Sequence, residues 1–168
     1  MIHIYSDGGC SGNPGPGGWA YVIIGERGMD SGELGMGNGE LGAGSGEPSI
    51  IAENWGAEMS TTNNRMELLA VISALEVLPE ICSGTETIKV YSDSQYVQKG
   101  MTIWIKEWKA RGWKTSGKKP VKNQDLWLHL DNLAAKHNIA WVWVKGHAGN
   151  IFNERCDVLT QKAIASLR

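Results

Sequence analysis

IKVYSDSQYVQKG, residues 88–100, joins an apolar strand pattern to a short helical one, and an acid, Asp93, stands at the joint. The N-terminus repeats the arrangement. Ile4-Tyr5-Ser6-Asp7 and Val90-Tyr91-Ser92-Asp93 each deliver an aspartate directly after an apolar strand. Working outward, Ile2 to Ser6 alternates as a strand does, and Trp19 to Ile24 reads as a second strand behind the turn-rich GGCSGNPGPGG. A third strand resumes near Ser49 to Glu58. Thr61 and Thr62 supply an N-cap to a nearly all-round apolar helix from about Asn63 to Leu78. Thr85 to Ser92 is the strand of the opening stretch. Ser94 to Gly100 starts a helix that continues over Thr102 to Arg111 and stops at Gly112. Asp125 to His137 is helical, Ile139 to Val144 is a β-prone strand, and Asn153 is expected to cap a last helix through Leu167. Strands first, then helices alternating with strands, give a mixed α/β sheet with a parallel portion.

In such a sheet, sites form beyond the carboxyl ends of the strands, so Asp7 and Asp93 emerge side by side if their strands are parallel neighbours. Glu67 lies among Met66, Leu68, Leu69, Ala70 and Val71, where a lone charge is expensive. Asp157 meets the same difficulty between Cys156 and Val158, although an early helical position favours an anion modestly. Acids gathered without basic partners repel one another unless a cation intervenes, and an all-oxygen ligand set suits Mg²⁺ or Mn²⁺. The alternatives are structural. Asp7 can cap the turn after it, Asp93 can cap the short helix after it, and Asp157 can serve the helix dipole alone.

The chain has 168 residues, 42% of them hydrophobic, which suits one globular domain. No apolar run approaches roughly 18 residues and no leader pattern precedes the first strand, so a cytoplasmic protein without a membrane association is expected. Cys10, Cys82 and Cys156 are an odd, scattered set, read as free thiols. The net charge of -2 hides an asymmetry. Residues 99–122 hold Lys99, Lys106, Lys109, Arg111, Lys114, Lys118, Lys119 and Lys122 against Glu107 alone, a local +7 on a body of -9. That segment attracts phosphates, or else is a solvated basic helix. Residues 28–46 contain eight glycines and the near-duplicate heptads GELGMGN and GELGAGS, and are expected to form an extended loop.

Five stretches in one order carry a family resemblance: YSDGGCSGNPGPGGWA, TTNNRMELLAVISALE, VYSDSQYVQKGM, WIKEWKARGWKTSGKKPVKNQDLW and WVKGHAGNIFNERCD. The chain resembles type 1 ribonuclease H of the bacterial-like form with a basic protrusion, over nearly everything except residues 25–58. The resemblance implies a ribonuclease H-like α/β fold with a five-stranded mixed sheet flanked by helices. It implies one domain over 1–168, with the glycine-rich insertion at about 28–46 and the protrusion at about 99–122. The implied activity is endonucleolytic hydrolysis of the RNA strand of RNA/DNA hybrids, leaving 5′-phosphate and 3′-hydroxyl ends. Its catalytic and metal-binding carboxylates fall on Asp7, Glu67, Asp93 and Asp157, and its mobile catalytic histidine on His147. Two Mg²⁺ ions are implied, with Mn²⁺ a substitute.

Only RNA offers a 2′-hydroxyl, so a hybrid is best told from DNA across its shallow minor groove. By resemblance Gly8, Cys10, Asn13, Asn63, Asn64 and Gln95 line the RNA strand, and Thr62 and Asn123 hold a phosphate of the DNA strand. Trp104 and Trp108 share a helical face with Trp113 beyond; with Lys109 and Lys114 they are expected to grip the DNA strand. Packing of the protrusion onto the body is the alternative for the tryptophans, and both can hold. Ile151 and Phe152 replace more polar residues before the last helix, which bears on rate rather than reaction type. A monomer is expected. GWKTSGKK misses a P-loop because Lys119 stands where Ser or Thr should be, and a two-domain actin-like ATPase needs more chain. The remaining rivals are a hybrid-binding module without catalysis, which gains nothing from clustered acids, and a transposase-like DNA nuclease, which shares the metal chemistry.

Overall fold

The computed structural model describes residues 1–26, 48–146 and 148–168. The expected glycine-rich loop at 28–46 and the expected catalytic His147 lie outside the described residues. Five strands form one sheet: β1 (Ile2–Cys10), β2 (Gly15–Glu26), β3 (Pro48–Thr61), β4 (Thr87–Ser92) and β5 (Asn138–Trp143), in the order β3-β2-β1-β4-β5. β1 pairs antiparallel with β2 and β2 with β3, whereas β1–β4 and β4–β5 are parallel. The mixed sheet expected from the alternation of elements is what forms.

Period-two patterning buries both faces of the sheet. Ile2, Ile4, Tyr21 and Ile23 join the larger core with α1 (Asn63–Ile81) and Trp127 and Leu130 of α4 (Gln124–Ala134). Tyr5, Ala20, Val22 and Ile24 face a smaller core with Cys156 and Leu159 of α5 (Ile151–Ala165). Between β4 and α4, the chain forms α2 (Gln95–Lys99), a π-helical turn at Gly100–Trp104 and α3 (Ile105–Ala110). The helix expected to continue over 102–111 does so without a gap, its bonding turning π-helical over Gly100–Trp104. A Cβ on Gly100 would collide with the Trp127 ring, and this close approach roots the protrusion in the larger core.

Three local expectations change. β1 runs on to Cys10 because it keeps pairing with the glycine-rich start of β2, so Asp7 sits inside a strand opposite Ala20, not past its end. The parallel ladder does stop earlier, at Ser6 opposite Ser92, so Asp7 and Asp93 are each the next residue. The last helix starts at Ile151, and its cap is Asn150, whose Oδ1 accepts from the backbone N–H groups of Phe152 and Asn153 at 3.1 and 3.0 Å. Asn153 itself is buried. Thr62 caps α1 as expected, accepting from the Arg65 N–H. All three cysteines are free.

Candidate active site

Each acid reaches the site from a different element. Asp7 comes from β1, Glu67 from the second turn of α1 and Asp93 from the step between β4 and α2. Ligand atoms of Asp7, Glu67 and Asp93 all lie within 4.8 Å of one another. Gly8 makes this approach possible: a Cβ there would collide with the backbone of Met66 and Glu67, so only glycine lets α1 lie against β1 at this level. Asp157 is half-buried on α5 and is not one of the three clustered acids, yet its charge acts on Asp7. It stands in the second turn of α5, beyond the first turn where the helix dipole favours an anion.

Capping does not explain these acids. Ser94, not Asp93, caps α2, its Oγ accepting from the Val97 N–H. Asp7 lies in a strand. Burial, then the charges of Asp93 and Asp157, push the Asp7 carboxyl up to about 7, against the Thr160 and Gly8 hydrogen bonds. Burial, then Asp7 and Asp93, push Glu67 well above the carboxylate range, and the Gly8 N–H only partly offsets this. No cation of the described residues is among the groups that act on Asp7 or Glu67. Glu67 Oε2 is buried with no hydrogen-bond partner. A buried oxygen left so, beside two more carboxylates, is what a hard divalent cation would satisfy, so the donor set fits Mg²⁺ or Mn²⁺.

The expected substrate residues form two groups with contacts of their own. In the first, the Cys10 thiol donates to the Gly15 and Thr61 carbonyls at 3.2 and 3.3 Å. Asn13, which precedes a cis proline, accepts from the Asn63 N–H at 3.2 Å through its Oδ1. Asn63, Asn64 and Gln95 are exposed. The second group centres on Asn123, held at a positive φ of 59°. Its Oδ1 accepts from Arg65 at 3.2 Å, and its Nδ2 donates to the Tyr96 hydroxyl at 3.1 Å. Arg65 also bonds Asp125 through both guanidinium ends, and Trp127 Nε1 donates to the same Tyr96 hydroxyl. Neither motif nor spacing singles out Arg65 and Tyr96; only the fold reveals that they fix Asn123.

Trp104, Trp108 and Trp113 are half-buried and follow one another with tilted rings, their centroids 5.9 and 6.1 Å apart, and Trp108 also meets Trp127. They pack the protrusion onto the body while keeping part of each ring in solvent. Lys109 pairs with Asp131 at 2.7 Å, whereas Lys114 is exposed. At the start of α5 Ile151 is 69% exposed, but Phe152 turns inward against Tyr5 at 5.4 Å. The second of these apolar departures thus has a packing role.

The RNase H family model matches residues 1–165. A ribonuclease H of Paramagnetospirillum magneticum is 49% identical over 167 residues, covering 99% of this chain and 92% of the relative. The crystal structure of LC9-RNase H1, a type 1 RNase H with the type 2 active-site motif, superposes with a TM-score of 0.79 at 31% identity, covering 99% of this chain and 73% of that one. LC11-RNase H1, solved in complex with RNA/DNA hybrid, shares the fold with a TM-score of 0.67 at 23% identity, covering 99% of each chain.

Proposed function

This chain belongs to the ribonuclease H family, whose members cut the RNA strand of RNA/DNA hybrids, and from that premise we propose two-metal hydrolysis at Asp7, Glu67, Asp93 and Asp157. The observation that carries the reading is the uncompensated cluster of Asp7, Glu67 and Asp93 within 4.8 Å. Family membership makes the enzyme metal-dependent; Mg²⁺, with Mn²⁺ as substitute, is the choice the hard oxygen donors support. Two such ions, when bound, would activate the attacking water and stabilise the leaving oxygen.

The side chains have separate tasks in that reaction. Asp7 from β1, Glu67 from α1 and Asp93 from the step between β4 and α2 would present carboxylate oxygens to the ions, and Asp157 borders them from α5. The attacking water oxygen bonds to phosphorus as the bond to the 3′ oxygen breaks, leaving a 3′-hydroxyl and a 5′-phosphate. His147, whose imidazole can both accept and donate a proton, is assigned proton transfer or product departure. Gly8, Cys10, Asn13, Asn63, Asn64 and Gln95 are assigned to the RNA strand, where the 2′-hydroxyl distinguishes it. Thr62 and Asn123 take a DNA-strand phosphate, with Arg65 and Tyr96 holding the Asn123 amide. Trp104, Trp108, Lys109, Trp113 and Lys114 grip the DNA strand through the protrusion. The enzyme acts as a cytoplasmic monomer of one domain; among the described residues no helix is long and apolar enough to cross a membrane.

Labelled RNA/DNA hybrid, duplex DNA and duplex RNA, each incubated with Mg²⁺ or with chelator, test the reading. Only the RNA strand of the hybrid should be cut, and only with the ion. Binding without cleavage would sink it.

A further inference from the structure

Of the three clustered carboxylates, two are anchored by regular structure. Asp7 lies within the β1–β2 ladder and Glu67 within α1. Asp93 has neither support: β4 ends at Ser92 and α2 begins at Gln95. The Ser94 N–H donates to the Ser92 Oγ across it at 3.0 Å, and further support for its backbone comes from the edge strand. Trp143 Nε1 donates to the Asp93 carbonyl at 3.1 Å, and the next residue's backbone, Val144 N–H, donates to the Ser92 carbonyl at 2.9 Å. Trp143 stands opposite Ser92 in the parallel β4–β5 register, so its ring reaches one residue past the end of the ladder. The chain then brings Gly146 against the Asp93 carboxylate. A Cβ on Gly146 would lie 2.9 Å from Asp93 Oδ2 and 3.6 Å from its Cβ and Cγ. Gly146 has no positive φ, so the bare Cα answers a need for space rather than for backbone freedom.

We infer that Trp143 and Gly146 act together as a clamp on Asp93, the indole N–H fixing its peptide and the glycine setting the position of its carboxylate. Both are positioning residues for the metal site, and the inference rests on the two-metal reading of that site. Fixing a ligand's backbone and rotamer from outside is how neighbours that touch no metal set its affinity, and losing one such neighbour typically costs about 10-fold or more. Trp143 is 44% exposed, so replacing its ring with a smaller one leaves little cavity.

The test uses the full chain with Trp143→Phe, which deletes the N–H and keeps an aromatic ring, and Gly146→Ala, which pushes on Asp93 Oδ2. Mn²⁺ binding without substrate is measured by calorimetry, alongside kcat and KM on a labelled hybrid and the melting temperature. Both variants should bind Mn²⁺ about 10-fold more weakly and lose kcat to a similar degree. KM should stay within about twofold and melting in chelator should barely move. Wild-type Mn²⁺ affinity and kcat in both variants would overturn the clamp, as would a change confined to KM, which makes Trp143 a substrate surface. The wild-type protein run in parallel separates the two claims, because absence of Mn²⁺ binding there contradicts the metal reading itself.

Discussion

The centre of this molecule and its rim use the same acidic residue types in opposite ways. At the rim, acids meet cations: Asp125 pairs with Arg65 at 2.9 Å, Asp131 with Lys109 at 2.7 Å and Glu53 with Arg155 at 2.7 Å. The Arg155 and Arg65 guanidinium groups hold Glu53 and Asp125 below their ordinary values. At the centre, Asp7 and Glu67 are driven upward by burial and by their acidic neighbours. Rim pairs are cheap to form and contribute little. The central cluster is costly to fold and is stable as charge only when a cation from solution completes it. A fold that pairs these surface acids and leaves the Asp7, Glu67 and Asp93 cluster uncompensated among the described residues marks that cluster as the working part.

Four experiments press on this contrast, beginning with the largest effect. Asp93→Asn should abolish cleavage while largely sparing hybrid affinity at moderate salt, as gel-based cleavage and binding assays would read; near-normal turnover would refute the metal role. Next comes pH. In chelator the folded Asp7 keeps its proton to about 7 while the unfolded one loses it near 3.8, so the folded state binds more protons between those values. Stability should therefore fall as pH rises from about 4 to 7. Asp7→Asn removes that loss, and since each pKa unit corresponds to about 1.4 kcal/mol, the variant should melt several degrees higher than wild type at pH 8 without metal. The two should converge near pH 4. An unchanged difference across the range would remove Asp7 as its source.

The protrusion supplies the third. Lys114 is exposed and Lys109 is held by Asp131. Lys114→Ala should weaken hybrid binding more than Lys109→Ala and lower the salt slope by about 1, as titrations at several ionic strengths would read. Smallest is Arg155→Ala, which breaks an exposed pair and should barely move the denaturant unfolding midpoint, with no change in cleavage.

Much of this is legible in the sequence because it rests on local rules. Alternation locates the strands, Thr62 announces α1, and the twin Ser-Asp endings bring Asp7 and Asp93 together on the condition, met in the fold, that their strands are parallel neighbours. The features that escape a sequence reading depend on pairing across distance. β1 outlasts its apolar pattern because glycines of β2 keep bonding to it, which puts Asp7 inside a strand. Asn150 rather than Asn153 caps α5, since two eligible asparagines lie three residues apart and only packing buries one of them. Arg65, Tyr96 and Trp143 carry no local mark of their tasks. Each bonds a partner between 27 and 58 residues away, at Asn123 or Asp93. The role of Asp157 comes from the family resemblance, and its half-buried place outside the tight cluster emerges only with the fold.

The central claim is that the clustered carboxylates exist to hold a cation. Calorimetric titration of Mn²⁺ into the wild-type protein and Glu67→Gln at neutral pH, with melting temperatures taken in parallel, addresses it most directly. The wild type should bind the ion and melt higher with it; Glu67→Gln should bind far more weakly while melting in chelator at or above the wild-type temperature. Equal Mn²⁺ affinity in the two proteins would contradict the account.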